Sequence, residues 1–397
     1  MQEINNLLNV WSSVFLSVCY CYAVAKMVPK GILRFFMYLP VFCIFLFLPL
    51  SLNSVNFTCT TAFSVTWLAT FKLLQLVCGN GPLSDASLPL SHFVLISCFP
   101  IKILRQKSSL NPPPNKEETP RKKTQDNENL KGYNDSPNIT KTYSNLGLKS
   151  PLHYAKKGLF FIFLITFVAP YKNNLPRNMA LFLICIYIYI GLEVLLGITA
   201  NICQILLGVK LESPFNEPYL STSLQDFWSH RWNRVSSSAL RSTVFNPIFR
   251  KLWSAGYKKG AIIVAMLATF LVSSLMHDLV FYYLGNVKPA WGTTLFFLMH
   301  GIFCLVENIL KREFGLKWEP PQLIIGPLIF VFALWTFMWL VLPELIQHKV
   351  DDRALEEYAA VGAFVSDLCL GWSQMEYNFL VQILKLDTMK YVKILKT

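Results

Sequence analysis

The chain has 397 residues, 53% of them hydrophobic and only 15% charged, with a formal net charge of +13. A soluble globular domain carries about a quarter charged residues, so this composition excludes an ordinary soluble fold and predicts an all-α, polytopic membrane protein. The positive excess sits mostly in two loops, where it marks the cytosolic side of a lipid bilayer; no nucleic acid partner is expected.

Residues 7–25 form the first predicted span. No basic stretch precedes them and no cleavage site is evident, so they are expected to be retained. Spans at 32–50 and 55–78 follow. The stretch 91–101 (SHFVLISCFPI) is too short to cross and contains a Pro, which predicts an interfacial or re-entrant segment. Residues 102–157 hold PPP at 112–114 and twelve Lys/Arg against five Asp/Glu. With almost no aliphatic run, they are expected to form a disordered, basic cytosolic loop. Asn138-Ile-Thr140 fits a glycosylation pattern that would stay bare there. The next spans are 159–171, short enough to be partial or tilted, and 179–200. A second basic loop, 210–260, carries eight Lys/Arg against three acids. Spans at 261–284, 291–310 and 323–343 come after it. Residues 358–384 are moderately apolar and read as a ninth or an amphipathic helix. About eight or nine transmembrane helices result. Both basic loops share the cytosolic side if the N-terminus is lumenal and loop 26–31 cytosolic. Three regions are expected: N-terminal helices 1–101, the loop 102–157, and a membrane domain 158–397. The sequence leaves the oligomeric state open.

The ten cysteines, Cys19, Cys21, Cys43, Cys59, Cys78, Cys98, Cys185, Cys203, Cys304 and Cys369, lie mostly inside apolar runs. No CxxC pair and no Cys/His spacing of a zinc site occurs, so they read as small buried thiols and no metal is expected.

Ionisable groups inside spans are costly and therefore mark function. His277-Asp278 lies in the span 261–284, with Ser273 and Ser274 one turn earlier. At 100° per residue, Ser273, Ser274 and His277 share a face with Phe270 and Phe281. His277 lies about 24 Å along an ideal helix from Ala261. The next span puts Thr293, His300 and Glu307 on one face, with Asn308 beside it, and the span 179–200 contains Glu193. A lone membrane His can simply bond a neighbouring helix, and Glu193 and Glu307 can pair structurally.

LQDFWSHRWN, residues 224–233, is the densest polar and aromatic cluster. As a regular helix it would put Asp226, Ser229, His230 and Asn233 on one face, Phe227, Arg231 and Arg234 on a second, and Gln225, Trp228 and Trp232 on a third. An interfacial amphipathic helix explains the Trp residues and a snorkelling Arg231. It does not explain why Gln225, Asp226 and Asn233 crowd the same turns. A basic, aromatic surface would suit a nucleotide-phosphate ligand.

YLSTSLQDFWSHRWN followed by SSLMHDLVFYYL resembles the plant wax synthase group of the membrane-bound O-acyltransferase family. Those enzymes carry Ser-Leu-Gln-Asp-Phe-Trp, then Gly-Arg-Arg-Trp-Asn, and later Met-His-Glu in a membrane helix. The resemblance implies helices around an internal tunnel, in the endoplasmic reticulum. It also implies esterification of a lipophilic alcohol, led by a long-chain fatty alcohol, with a sterol, triterpene or diacylglycerol as alternatives. Acyl-CoA or acetyl-CoA would be the donor substrate, with no further cofactor. By the same resemblance His277 is catalytic with Asn233 as its partner, and Gln225, Asp226, Trp228, Arg231 and Trp232 line the acyl-CoA entrance; His230 is a further substrate-binding candidate. Ser273, Ser274, Asp278 and His300 complete the candidate substrate path. Two departures stand out: Ser229-His230 replaces Gly-Arg, and Asp278 replaces Glu. His277 would take the hydroxyl proton as a general base and Asn233 would orient the thioester or donate to the oxyanion. A transporter would also carry charged groups within spans, but no duplicated halves occur. No GxSxG or Walker loop points to soluble hydrolase-type or nucleotide chemistry.

Overall fold

Inside hydrocarbon the backbone has no water to bond, and the long apolar runs of this chain satisfy their amides as helices. The computed structural model describes residues 2–104, 147–168, 171, 174–285, 291–313 and 321–367. Among these residues no β-sheet forms; two isolated bridges pair Ile103 with Leu211 and Gly147 with Glu212.

Helix α1 spans Gln2–Met27 and α2 Ile32–Phe47, continuing as a tight turn over Leu48–Ser51. Helix α3 (Val55–Thr61) passes through a π-helical stretch, Ala62–Ala69, into α4 (Thr70–Val77). Helix α5 (Leu90–Cys98) dips back among them. Its start lies near Tyr22, whose hydroxyl donates to the Leu88 carbonyl at 3.2 Å, while Phe99 stacks on Trp11, midway along α1. The chain then returns so that Ile103 pairs with Leu211. This is the re-entrant path that the short stretch 91–101 allows. The exposed carbonyls at its inner end are met by Lys72 of α4, buried to 4% exposure, whose Nζ donates to Ile96 and Phe99 at 2.6 Å each.

Helix α6 (Pro151–Phe163) starts at a Ser150 cap with Pro151 in its first turn, and runs on through Leu164–Val168. The span expected at 159–171 therefore begins earlier. Helix α7 (Arg177–Leu207) ends at Gly208 in the left-handed conformation, φ 65°. Tyr154 of α6 lies against Gly197 of α7, where a Cβ would sit 2.0 Å from the ring. Glu193, 1% exposed, is paired with Lys157 at 2.5 Å, so its role is to join α6 and α7.

The basic loop folds into the protein. Glu212 bridges Lys102 at 2.9 Å and Arg234 at 2.6 Å. Helices α8 (Arg234–Leu240) and α9 (Asn246–Ser254) lead to α10 (Lys258–Gly285), which packs antiparallel on α11 (Trp291–Glu313). Helix α12 (Gln322–Leu340) and the short α13 (Leu342–Gln347) precede α14 over 350–367. Among the described residues six helical stretches are long and apolar enough to cross a membrane: Gln2–Met27, Ile32–Ser51, Arg177–Leu207, Gly260–Gly285, Trp291–Lys311 and Gln322–Leu340. The stretches expected to cross at 55–78 and 159–171 are not among these six.

Two expected boundaries move. Residues 102–104 and 147–157 are ordered, because Lys102 and Gly147 both join Glu212 and Ser150 starts a helix. The remainder of the expected loop, 105–146 with Asn138, lies outside the described residues, as does the tail from 368 with Cys369. The helix expected from 358 begins at 350, because Glu357 reaches back to the start of α3. Its carboxylate accepts from Ser54 Oγ at 2.8 Å, Val55 N at 2.5 Å, Asn56 N at 3.0 Å and Asn56 Nδ2 at 2.7 Å.

Candidate active site

Residues 221–233 do not form one regular helix. Ser223 caps a short turn, accepting from Asp226 N at 3.0 Å, and the chain then widens into a π turn over Phe227–Arg231. Trp232 is extended and Asn233 adopts the left-handed conformation, φ 34°. Asn is among the few residues other than glycine that enter that region readily. The Asn233 Oδ1 accepts from Ser236 N at 3.2 Å and starts α8, so Nδ2 is the amide atom left to serve as a donor.

The three helical faces expected here are consequently replaced. The wide turn brings Arg231 onto Asp226, five residues away, at 2.6 Å. Arg231 is 5% exposed and also donates to the carbonyls of Asn216 and Glu217. Rather than presenting a cation to phosphates, it braces the loop from inside. Asp226 also accepts from Thr222 N at 3.1 Å and lies 3.5 Å from His230 Nδ1. Burial by itself would raise the Asp226 carboxyl; the His230 bond, the Arg231 charge and the Thr222 amide outweigh it and hold the group below the usual carboxylate range. Trp232 is sandwiched between Phe227 at 5.4 Å and Tyr189 at 5.6 Å, and Ser237 Oγ donates to the Trp228 carbonyl at 2.7 Å. The loop is thus fixed on both sides of Asn233.

His277 projects from α10. Its Nδ1 lies 2.7 Å from the Ser273 carbonyl. A carbonyl only accepts, so Nδ1 carries the proton and Nε2 keeps the lone pair of the neutral ring. The imidazole contacts Phe297, 4.5 Å away, and the ring of Trp67 at 5.1 Å in a T-shaped arrangement. His300 has a similar tie, Nδ1 to the Phe296 carbonyl at 2.9 Å, but is wholly buried behind Trp228 at 5.4 Å.

A cavity of about 1510 Å³ is lined by His277, Asn233, Ser273, Gln225, Asp226, Trp228, His230 and Trp232. Arg231, Ser274, Asp278 and His300 do not line it. Ser274 instead donates to Thr294 at 3.1 Å, and Thr294 donates to Asp278 at 3.4 Å, which joins α10 to α11. Near the end of α11, Glu307 accepts from Gln225 N at 3.0 Å and from Lys311 at 2.5 Å. Lys311, Asn308, Arg241 and His230 give that mouth of the cavity its polar and cationic lining, and Phe270, Phe296, Phe297 and Leu334 give the interior its apolar wall. Far along the cavity, Ser54, Asn56, Glu357 and Tyr358 line a second polar end. Trp67, Ser236, Ser237 and Lys311 also line it and were not singled out by sequence; only Lys311, a cation four residues after Glu307, carried a readable signal. Among the described residues no group of three or more His, Cys, Asp or Glu side chains could hold a metal ion.

Comparison with known proteins gives a consistent picture. The membrane bound O-acyl transferase family matches residues 211–299, the stretch that carries both Asn233 and His277. The chain is similar to acyl-CoA--sterol O-acyltransferase 1 of Arabidopsis thaliana, 37% identical over 91% of this chain and 97% of the relative. It is 36% identical to a probable long-chain-alcohol O-fatty-acyltransferase 1 of the same plant, over 90% of this chain and 95% of the relative. Against the long-chain-alcohol O-fatty-acyltransferase of Simmondsia chinensis it is 34% identical over 93% and 98%.

Proposed function

Since the chain belongs to the membrane bound O-acyl transferase family, we propose that it moves an acyl group from acyl-CoA to the hydroxyl of a lipophilic alcohol, with His277 as general base and Asn233 as its partner. It is a multi-pass membrane acyltransferase. The observation that carries the site assignment is the tie of His277 Nδ1 to Ser273, which leaves Nε2 as the accepting nitrogen of a side chain that lines the same cavity as Asn233.

The alcohol gives its proton to Nε2 as its oxygen attacks the thioester carbon. The carbonyl pair moves onto oxygen, where Asn233 Nδ2 is positioned by its cap to donate. Collapse re-forms the carbonyl, breaks the C–S bond, and the CoA thiolate takes the proton back from the imidazolium. Lys311 and Arg241 supply the cations in the cavity lining that suit phosphates, and that end would face the cytosol by the positive charge of its loops. The aromatic wall excludes water. We propose the endoplasmic reticulum as the membrane, on family resemblance alone.

Long-chain fatty alcohol is the leading acceptor. Sterol is the second reading, favoured by the 37% identity with the sterol enzyme. Purified protein given radiolabelled acyl-CoA with fatty alcohol, sterol, triterpene alcohol or diacylglycerol in turn should yield an esterase-sensitive neutral lipid with one of the first two. His277→Ala should abolish it in a protein that still elutes as a folded species. Substantial turnover by that variant would overturn the assignment.

A further inference from the structure

We propose that the indole N–H of Trp67 donates a hydrogen bond to the oxygen that gains negative charge during acyl transfer, which makes Trp67 a catalytic residue beside His277. This rests on the acyl-transfer reading above.

Trp67 lies in the π-helical stretch Ala62–Ala69 and lines the cavity. Such local widening of a helix is frequent at functional sites. The side chain is 3% exposed, and its Nε1 has no hydrogen-bond partner among the described residues. An indole N–H only donates, and a buried donor is ordinarily satisfied. Position singles out this one. The Trp67 ring meets His277 at 5.1 Å with an interplanar angle of 76°, while Phe297, which covers His277 elsewhere, has no polar atom. Trp67 also packs in one cluster with Val235 and Ala239 of α8, the helix that Asn233 caps, and with Val272 and Met276 of α10. That cluster draws on both the helix that Asn233 caps and the helix carrying His277.

Three other cavity-lining donors lack partners among the described residues, and one of them, the Tyr189 hydroxyl, belongs to a ring packed on Phe215, Trp232 and Phe330 rather than on His277. Trp228 Nε1 belongs to a ring set against His300 rather than His277. Ser236 Oγ can rotate toward a backbone acceptor, a freedom that an indole does not have. In the proposed step the alcohol proton goes to His277 Nε2, the new C–O bond forms, and the carbonyl pair becomes the oxyanion held by Asn233 Nδ2 and Trp67 Nε1. The pair returns as the C–S bond breaks, and the thiolate accepts the proton.

The test replaces Trp67 by Phe and, to keep the full ring shape, by benzothienylalanine, in which sulfur stands for N–H. Both should lower kcat about 10²–10³-fold, the usual effect of losing one such donor. The KM for acyl-CoA and the melting temperature should hold, and Trp335→Phe, which alters an exposed indole outside the cavity lining, should stay within about threefold of wild type. Wild-type kcat in the benzothienylalanine protein, or a loss that appears in KM or melting temperature with kcat intact, overturns the role of Trp67 and leaves the acyl-transfer reading standing. Failure of the wild-type protein to make any ester overturns that reading and this inference with it.

Discussion

Asn233 uses its two amide atoms differently. Oδ1 starts α8 and Nδ2 is left for chemistry, so structure and catalysis can be separated by single substitutions. Asn233→Asp keeps an accepting oxygen for the cap and loses the N–H. Its melting temperature should stay near wild type while kcat falls about 10²-fold or more. Asn233→Ala should lose the same activity and, through the missing cap and the left-handed backbone, about 1–2 kcal/mol of stability as well. Thermal melts and turnover measured on both variants check the separation. At this scale the sequence was partly readable. His277 and Asn233 stood out as polar groups without an apolar excuse, and both line one cavity. Arg231 was misplaced because 100° per residue does not hold through a π turn, which brings residues five apart together. Trp67 was invisible as one aromatic in an apolar run, since nothing in its neighbours predicts a bulged helix or an unpartnered N–H.

Elements in this protein end where a polar group can meet their free backbone atoms. The re-entrant α5 shows the cost of ending inside the molecule: the Ile96 carbonyl, four residues before Pro100, which has no N–H, is met by Lys72. Lys72→Met matches the stem but cannot donate. It should destabilise the protein by about 1–3 kcal/mol, the cost of leaving buried polar groups unpaired, read as a lower melting temperature in detergent. An unchanged melting temperature would show that α5 does not depend on this contact. Hydropathy located the long helices within a few residues and located the short dip at 91–101, because length against bilayer thickness is a one-dimensional property. It could not find the break in α3 and α4 at Ala62–Ala69, whose composition is as apolar as its flanks. Nor could it find the order of 147–157, which comes from contacts with Glu212 and Ser213 far along the chain.

Across the whole molecule, the first and last described regions are joined chiefly through the Glu357 carboxylate, with the Tyr358 hydroxyl donating to Asn56 Oδ1 at 2.8 Å beside it. Glu357 gathers the hydroxyl of Ser54, the amides of Val55 and Asn56, and the Asn56 side chain, and Glu3 takes Asn53 N and Ser54 N at 2.8 and 2.9 Å beside it. Four donors on one charged group should make this join sensitive. Glu357→Ala should cost about 2–3 kcal/mol and free α14 for proteolysis, which a limited digest followed by mass spectrometry would reveal; a digest identical to wild type would sink the idea. Such a join between residues three hundred apart leaves no trace in local pattern.

His277 and Asn233 line one cavity of about 1510 Å³. A thioester tail and an alcohol bound together would then compete for a fixed capacity. Selectivity for one substrate would not be a property of that substrate alone: a longer fatty tail would crowd out a bulky ring system, and a shorter one would make room for it.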